Sequence, residues 1–235
     1  MAAPEVPEPR VERMLDSAAE LLVRWGYQRV TIDEVARHAG IGKGTVYLHF
    51  RSKDALFLTV LLREQRKIVQ HLADRMDADP RTVLPGATMR LLYEQLVSVP
   101  VARSVYLGDA EVLGRLAHEA GGTLGELAAA RADAVRQHIH LLGAAGCLRP
   151  GLPPDSALYA FAATASGFLL VDGFGYGDLV PDVEERSALL EQTIAAAVQA
   201  PDPPAAELAR IAPEIAQRYR SLLVHVDQEW RRRVR

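Results

Sequence analysis

Cysteine is almost missing from this sequence: Cys147 is the single one in 235 residues. One thiol forms neither a disulfide framework nor the paired spacing of a zinc site, and it is expected to be a small buried hydrophobe. Lysine is scarce as well, with Lys43, Lys53 and Lys67 among 27 basic residues. That bias points to the base composition of the genome and carries no functional meaning. No apolar run approaches the roughly 20 residues needed to cross a bilayer. No stretch alternates with period two for long enough to predict a sheet, and there is no internal repeat or low-complexity tract. The catalytic spacings G-x-S-x-G and H-E-x-x-H are absent, so no catalytic residue is assigned and an enzyme is not expected. His138 and His140 stand two apart and diverge on a helix, and His118 has no partner at ligand spacing. No metal and no cofactor are therefore expected. The start, MAAPEVPEPR, lacks the apolar centre of a secretory signal and carries acids. Residues 1–8 are expected to be a disordered arm, and the cytoplasm is the expected compartment.

Apolar residues make up 49% of the chain and charged residues 24%, the proportions of an ordinary globular protein. The net charge of −3 does not announce a nucleic-acid partner, but the distribution of charge is informative. Between Arg24 and Lys67 nine basic residues face four acids, a local basic excess in an acidic chain. A local patch is what neutralises phosphate; the total is not.

Periodicity predicts an all-α chain of about nine or ten helices. Val11, Met14, Leu15, Ala18, Ala19, Leu22 and Trp25 make the apolar stripe of a first helix, closed by Gly26. Thr31 and Glu34 have the spacing of a capping box, so a second helix starts there, with Ile32, Val35, Ala36 and Ala39 inward. Gly40 ends it, because a sharp turn needs positive φ. A third helix is predicted from Lys43 to Phe50, and Ser52 caps a long fourth one.

The stretch GIGKGTVYLHF, Gly40 to Phe50, resembles a phosphate-binding loop at first sight. It fails that motif: the first glycine is missing, Lys43 is followed by Gly44 rather than Ser or Thr, and a helix instead of a strand precedes it. Two short helices flanking a tight turn fit a helix-turn-helix instead. Ile41, Val46 and Phe50 face inward in that reading. Lys43, Thr45, Tyr47, Leu48 and His49 are left outward, with side chains suited to DNA.

The run TIDEVARHAGIGKGTVYLHFRSKDALF, Thr31 to Phe57, resembles the DNA-binding signature of the TetR family of transcriptional regulators. Its first half also resembles the start of LacI-type regulators, but a full helix precedes it here and no βαβ alternation follows. The TetR resemblance covers the first 60 to 70 residues; beyond them only length and helical character agree. It implies a helix-turn-helix domain at residues 9–69 and a larger helical effector-binding and dimerisation domain at residues 70–235. It further implies DNA contacts from Thr31, Lys43, Gly44, Thr45, Tyr47, Leu48, His49 and Lys53. Leu48 would meet a thymine methyl.

The partners implied are double-stranded DNA bearing a palindromic operator, a second copy of the chain, and a small-molecule effector; no membrane is involved. A dimer interface is expected on Ala160, Ala163, Ser166, Gly167 and Leu170, together with Leu189, Leu190, Thr193, Ile194 and Ala197. Effector-pocket candidates are Met89, Leu92, Tyr93, Leu96, Tyr106, Leu113, His138 and Phe168. The implied function is a repressor released by its effector. The alternatives are an activator, a regulator without effector, or a helical enzyme using the basic segment for another anion. Trp230 to Arg235 is expected to be a frayed helix end, with its cations at the negative pole of the helix dipole.

Overall fold

The structure, a computed structural model, describes residues 9–98, 123–171 and 181–234. Tyr106, Leu113 and His118 lie outside the described residues. Nine α-helices are seen among the described residues: α1 (Pro9–Arg29), α2 (Ile32–His38), α3 (Lys43–His49), α4 (Lys53–Ala78), α5 (Pro85–Ser98), α6 (Thr123–Ala144), α7 (Pro154–Leu170), α8 (Val183–Val198) and α9 (Ala205–Arg233). A 3-10 turn, Pro80–Val83, joins α4 to α5. No strand occurs among the described residues; Leu148 and Gln199 form one isolated antiparallel bridge. No described helix is long and apolar enough to cross a membrane.

The chain divides into two compact units. Of the described residues, 9–66, 123–125 and 225–234 form the first, and 67–98, 126–171 and 181–224 the second. The division therefore falls inside α4, after Arg66, and not after residue 69. The C-terminal end also differs from expectation. It does not fray: α9 continues to Arg233, and its last turns belong to the first unit. Val226 is 1% exposed and Glu229 3%, and Asp227 accepts a 2.7 Å bond from Arg66. Sequence distance hid this, because nothing local to Trp230 signals a partner some 160 residues away.

In the first unit α1 buries Val11, Met14, Leu15, Ala18, Leu21 and Leu22 at the spacing of one helical face. Each such side chain contributes about 1.5–3 kcal/mol on leaving water. Gly26 interrupts the helix at φ 74°, ψ 160°, a conformation that costs a side-chain-bearing residue strain. The break lets Tyr27 turn inward, edge-on to Phe57 with ring centroids 5.2 Å apart. Arg63 of α4 is buried between α1 and its own helix. It donates to Asp16 at 2.7 Å, to Glu12 at 2.9 Å and to Glu64 at 3.1 Å. Burial pulls its proton affinity down, but the bonds to Asp16 and Glu12 outweigh this and raise it overall. Arg63 is thus neutralised internally, and the basic excess between residues 24 and 67 overstates the charge offered to phosphate.

In the second unit α5 and α8 pack closely against each other. Gly86 permits it: a Cβ there would lie 2.6 Å from the carbonyl oxygen of Glu191. Its amide donates to Gln199 Oε1 at 2.8 Å. Arg90 then bridges Glu94 at 2.8 Å and Glu191 at 3.0 Å, tying the two helices along their length. Arg220 of α9 pairs with Asp74 at 3.0 Å and with Asp77 at 2.5 Å on α4. Cys147 is fully buried, as expected of a small hydrophobe.

Candidate DNA-binding site

The site is built from α2, the turn after it, α3 and the start of α4. Thr31 caps α2 in a complete capping box: Glu34 N–H donates to its hydroxyl oxygen at 3.3 Å. In return the Thr31 amide and hydroxyl donate to Glu34 Oε2 at 2.8 and 2.9 Å. Gly40, at φ 68°, turns the chain, and α3 starts at Lys43. Val46 and Phe50 are both at 0% exposure and fix one side of α3 to the unit; Ile41 is half-buried.

That anchoring decides what α3 presents. Tyr47 is 47% exposed and Leu48 70%. They are neighbouring large side chains on a seven-residue helix with a single buried residue, Val46. A single exposed leucine means little, but here it stands beside a tyrosine, a glycine and a lysine on the same face region. Gly44 has open space where its Cβ would be. A glycine inside a helix costs about 1 kcal/mol relative to alanine, and no packing inside the protein requires it. The surface of α3 is therefore open at Gly44. Lys43 is exposed and donates to Asp33 of α2 at 2.9 Å. Thr45 and His49 are half-buried on the flanks.

Two of the expected DNA contacts also have partners inside the unit. The Thr31 hydroxyl donates to Glu34 and serves the capping of α2. The Lys53 ammonium donates to the Tyr27 carbonyl at 2.6 Å and lies 4.2 Å from the Tyr27 ring centroid. Sequence reasoning missed Asp33 and Tyr27, the partners that hold these two lysines. Their signal is a contact across the fold, which helical spacing does not carry.

The other two candidate sets are placed as follows. Met89 and Tyr93 lie in the hydrophobic core of the second unit, with Leu92 and Phe168 packed against it, and Leu96 is buried. His138 is 2% exposed, with both ring nitrogens engaged. Nε2 donates to the Val83 carbonyl at 2.6 Å and Nδ1 accepts from the Tyr219 hydroxyl at 3.1 Å, which fixes the tautomer. His138 is therefore a knot in the core joining α6, α9 and the 3-10 turn. Among the interface candidates, Leu190 and Ile194 are at 0% exposure and turn into their own unit, so an outer face cannot include them. Ala163, Ser166, Gly167, Leu170, Leu189 and Thr193 are exposed, and Ala160 and Ala197 half-buried. Among the described residues no cluster of His, Cys, Asp or Glu could hold a metal. His140 points away from His138 and pairs with Asp155 at 2.9 Å.

A turn that sets a short, outward-facing helix against a capped partner helix defines the class: a helix-turn-helix DNA-binding unit. Comparison with known proteins makes the assignment particular. Residues 14–60 match the family described as bacterial regulatory proteins, tetR family. The likeness to that family covers this segment of the chain.

The transcriptional activator FasR of Mycolicibacterium smegmatis is 42% identical over 84 residues, covering 34% of this chain and 38% of FasR. The regulator SrpR of Pseudomonas putida is 38% identical over 66 residues, covering 28% of this chain and 30% of SrpR. YwcC of Bacillus subtilis, a transcriptional regulator, is 34% identical over 74 residues, 31% of this chain. This chain spans 33% of YwcC, and between 17% and 48% of its other such relatives.

The fold likeness reaches further. The fatty acid degradation regulator FadR of Bacillus halodurans superposes with a TM-score of 0.64 at 17% identity, covering 81% of this chain and 96% of FadR. SmeT in complex with triclosan gives 0.62 at 21% identity, covering 82% and 92%. FadR of Bacillus subtilis in complex with stearoyl-CoA gives 0.56 at 16%, covering 78% and 96%. These relatives and neighbours are regulators, not enzymes.

Proposed function

We propose that this chain is a dimeric repressor of transcription that binds a palindromic operator and leaves it when a small-molecule effector occupies the larger unit. The observation that carries the reading is α3, anchored by Val46 and Phe50 and left open at Gly44, Tyr47 and Leu48. One such helix reads only a few base pairs, so a second copy is needed to double the site. The exposed apolar residues of the second unit support pairing of two chains: Tyr159 at 78% and Leu170 at 54% on α7, and Leu189 at 40% on α8. SmeT and FadR share the fold and hold triclosan and stearoyl-CoA, which supports an apolar effector.

α4 supplies the means of response. It follows α3 directly, and the one helix contributes to both units. An effector that binds two positions of α4 unequally would change the spacing of the two reader helices. A disulfide locking α4 to its neighbour should then abolish effector release.

Selection of bound fragments from genomic DNA, followed by a gel shift, tests the reading. Binding should be salt-sensitive and competed by one palindrome. Tyr47→Ala with Lys53→Ala should remove it while sedimentation still reports a dimer. Retention of specific binding would refute the site. The similarity to FasR favours one second reading, an activator with the same DNA contacts. A reporter behind the selected operator separates the two by the sign of its response.

A further inference from the structure

We propose that Asp33 is a specificity-determining residue: it holds the Lys43 ammonium in one direction, so that Lys43 meets a phosphate on the operator and adds little on other duplexes. The inference rests on the DNA-binding reading above.

Asp33 lies on α2 and Lys43 opens α3, and their side chains meet at 2.9 Å while 63% and 54% exposed. The pair therefore stands on the surface beside Gly44 and Tyr47, where the duplex would approach. An acid there is unexpected if affinity alone mattered, because a carboxylate near phosphate opposes binding to any DNA. An acid in the first turn of α2 is favoured by the helix dipole, but the capping box does not need Asp33. Glu34 already supplies the capping-box carboxylate of α2, and Glu34 and Thr31 are satisfied by each other. Asp33 instead reaches across the turn to the reader helix.

What the pair does follows from lysine chemistry. A lysine carries a compact charge on a flexible four-carbon stem. Unheld, it swings to whatever phosphate is near, on any sequence. Held by Asp33, it offers its remaining N–H donors along one direction. Only a duplex seated in register on α3 places a phosphate there. The bond to Asp33, and then its charge, raise the proton affinity of Lys43, which is a cation at neutral pH with or without its partner. Non-specific binding loses a mobile charge, and operator binding keeps an oriented one. Phosphate contacts fix register, and register is what lets base contacts discriminate.

The test uses the full chain and fluorescence anisotropy with two labelled duplexes: the operator fragment selected from genomic DNA and a shuffled duplex of the same composition. Both are titrated across a range of salt. Asp33→Asn should raise affinity for the shuffled duplex by about threefold, the scale of one exposed ion pair. Its salt dependence should steepen, and the operator should gain less, so the ratio of the two affinities falls. Asp33→Glu, which can still reach Lys43, should keep the wild-type ratio. In a Lys43→Gln background Asp33→Asn should raise both affinities alike, by relief of repulsion, and leave their ratio unchanged.

The proposal is overturned if Asp33→Asn leaves the ratio unchanged. It is equally overturned if the ratio falls as far in the Lys43→Gln background, since Asp33 would then act without Lys43. A wild-type protein that fails to tell the duplexes apart defeats the DNA-binding reading itself and takes this inference with it. Discrimination by the wild type with an unchanged variant defeats the inference alone.

Discussion

The reader helix and the α5–α8 pair are built on opposite principles. α3 has seven residues, one of them buried, and it keeps its large side chains outside. α8 turns Leu190, Ile194 and Val198 fully inward and lets α5 approach until only a glycine fits between them. On the proposed DNA-binding reading the first is shaped by a partner outside the chain; the second is shaped by its own packing. The same residue type should therefore mean different things in the two regions, and paired substitutions can break that contrast.

Tyrosine gives the largest effect. Tyr93 is 1% exposed in the core of the second unit, and Tyr93→Ala should cost about 3–5 kcal/mol of stability, read by chemical denaturation. Tyr47, at 47% exposed, should do the reverse. Tyr47→Ala should leave stability within about 0.5 kcal/mol and weaken operator binding roughly tenfold to a hundredfold. Equal stability losses at the two positions would remove the distinction between a packed and a presented side chain.

A pH titration comes next. Burial depresses His138 to about 4 from its ordinary 6.5, and its bond to the Val83 carbonyl only partly offsets this. As pH falls below about 6.5 the unfolded chain takes up this proton first, and the folded chain follows only near 4. Stability from this group is complete above 6.5 and is lost as pH falls toward 4, by up to roughly 3 kcal/mol. Denaturation of wild type and His138→Gln at pH 7 and pH 4.5 should show a shallower pH dependence in the variant. An unchanged dependence would mean that His138 is not held neutral.

Glycine makes the cleanest pair. Gly86→Ala forces a methyl to 2.6 Å from a backbone oxygen and should cost roughly 1–3 kcal/mol as α5 and α8 part. Gly44→Ala meets nothing in the protein. It should hold or raise stability by up to about 1 kcal/mol through helix propensity, while DNA affinity drops on the order of tenfold. Unimpaired DNA binding in that variant would show that the open side of α3 has no close partner.

The contrast also explains how far the sequence could be read. The reader region is local. Capping box, turn glycine and inward Val46 and Phe50 fall within twenty residues, and each leaves its own spacing in the sequence. The exposure of the interface candidates was half legible. Leu189 and Thr193 share a stripe with Leu190 and Ile194 in sequence, but the packing of α5 decides which of them is outside. The pocket candidates were the least legible, because apolar residues on middle helices look alike whether they fill a core or line a cavity. His138 shows the limit: nothing near it in sequence announces Tyr219 or Val83 as partners.

The smallest expected effect probes the part of the DNA-binding unit that is furthest away in sequence. Arg66 and Asp227 are 37% and 27% exposed at the side chain, so solvent screens the pair and Asp227→Ala should cost only about 0.5 kcal/mol. Val226, beside it and 1% exposed, is held by burial instead. Truncation after residue 224 removes both. If the end of α9 is part of the first unit because its apolar side chains are covered there, amide exchange in α1 and the first half of α4 should quicken far more on truncation than in Asp227→Ala. Amides of α5 and α8 should keep their rates in both. Equal acceleration by the point substitution would assign the docking to charge, and would make the end of α9 sensitive to salt.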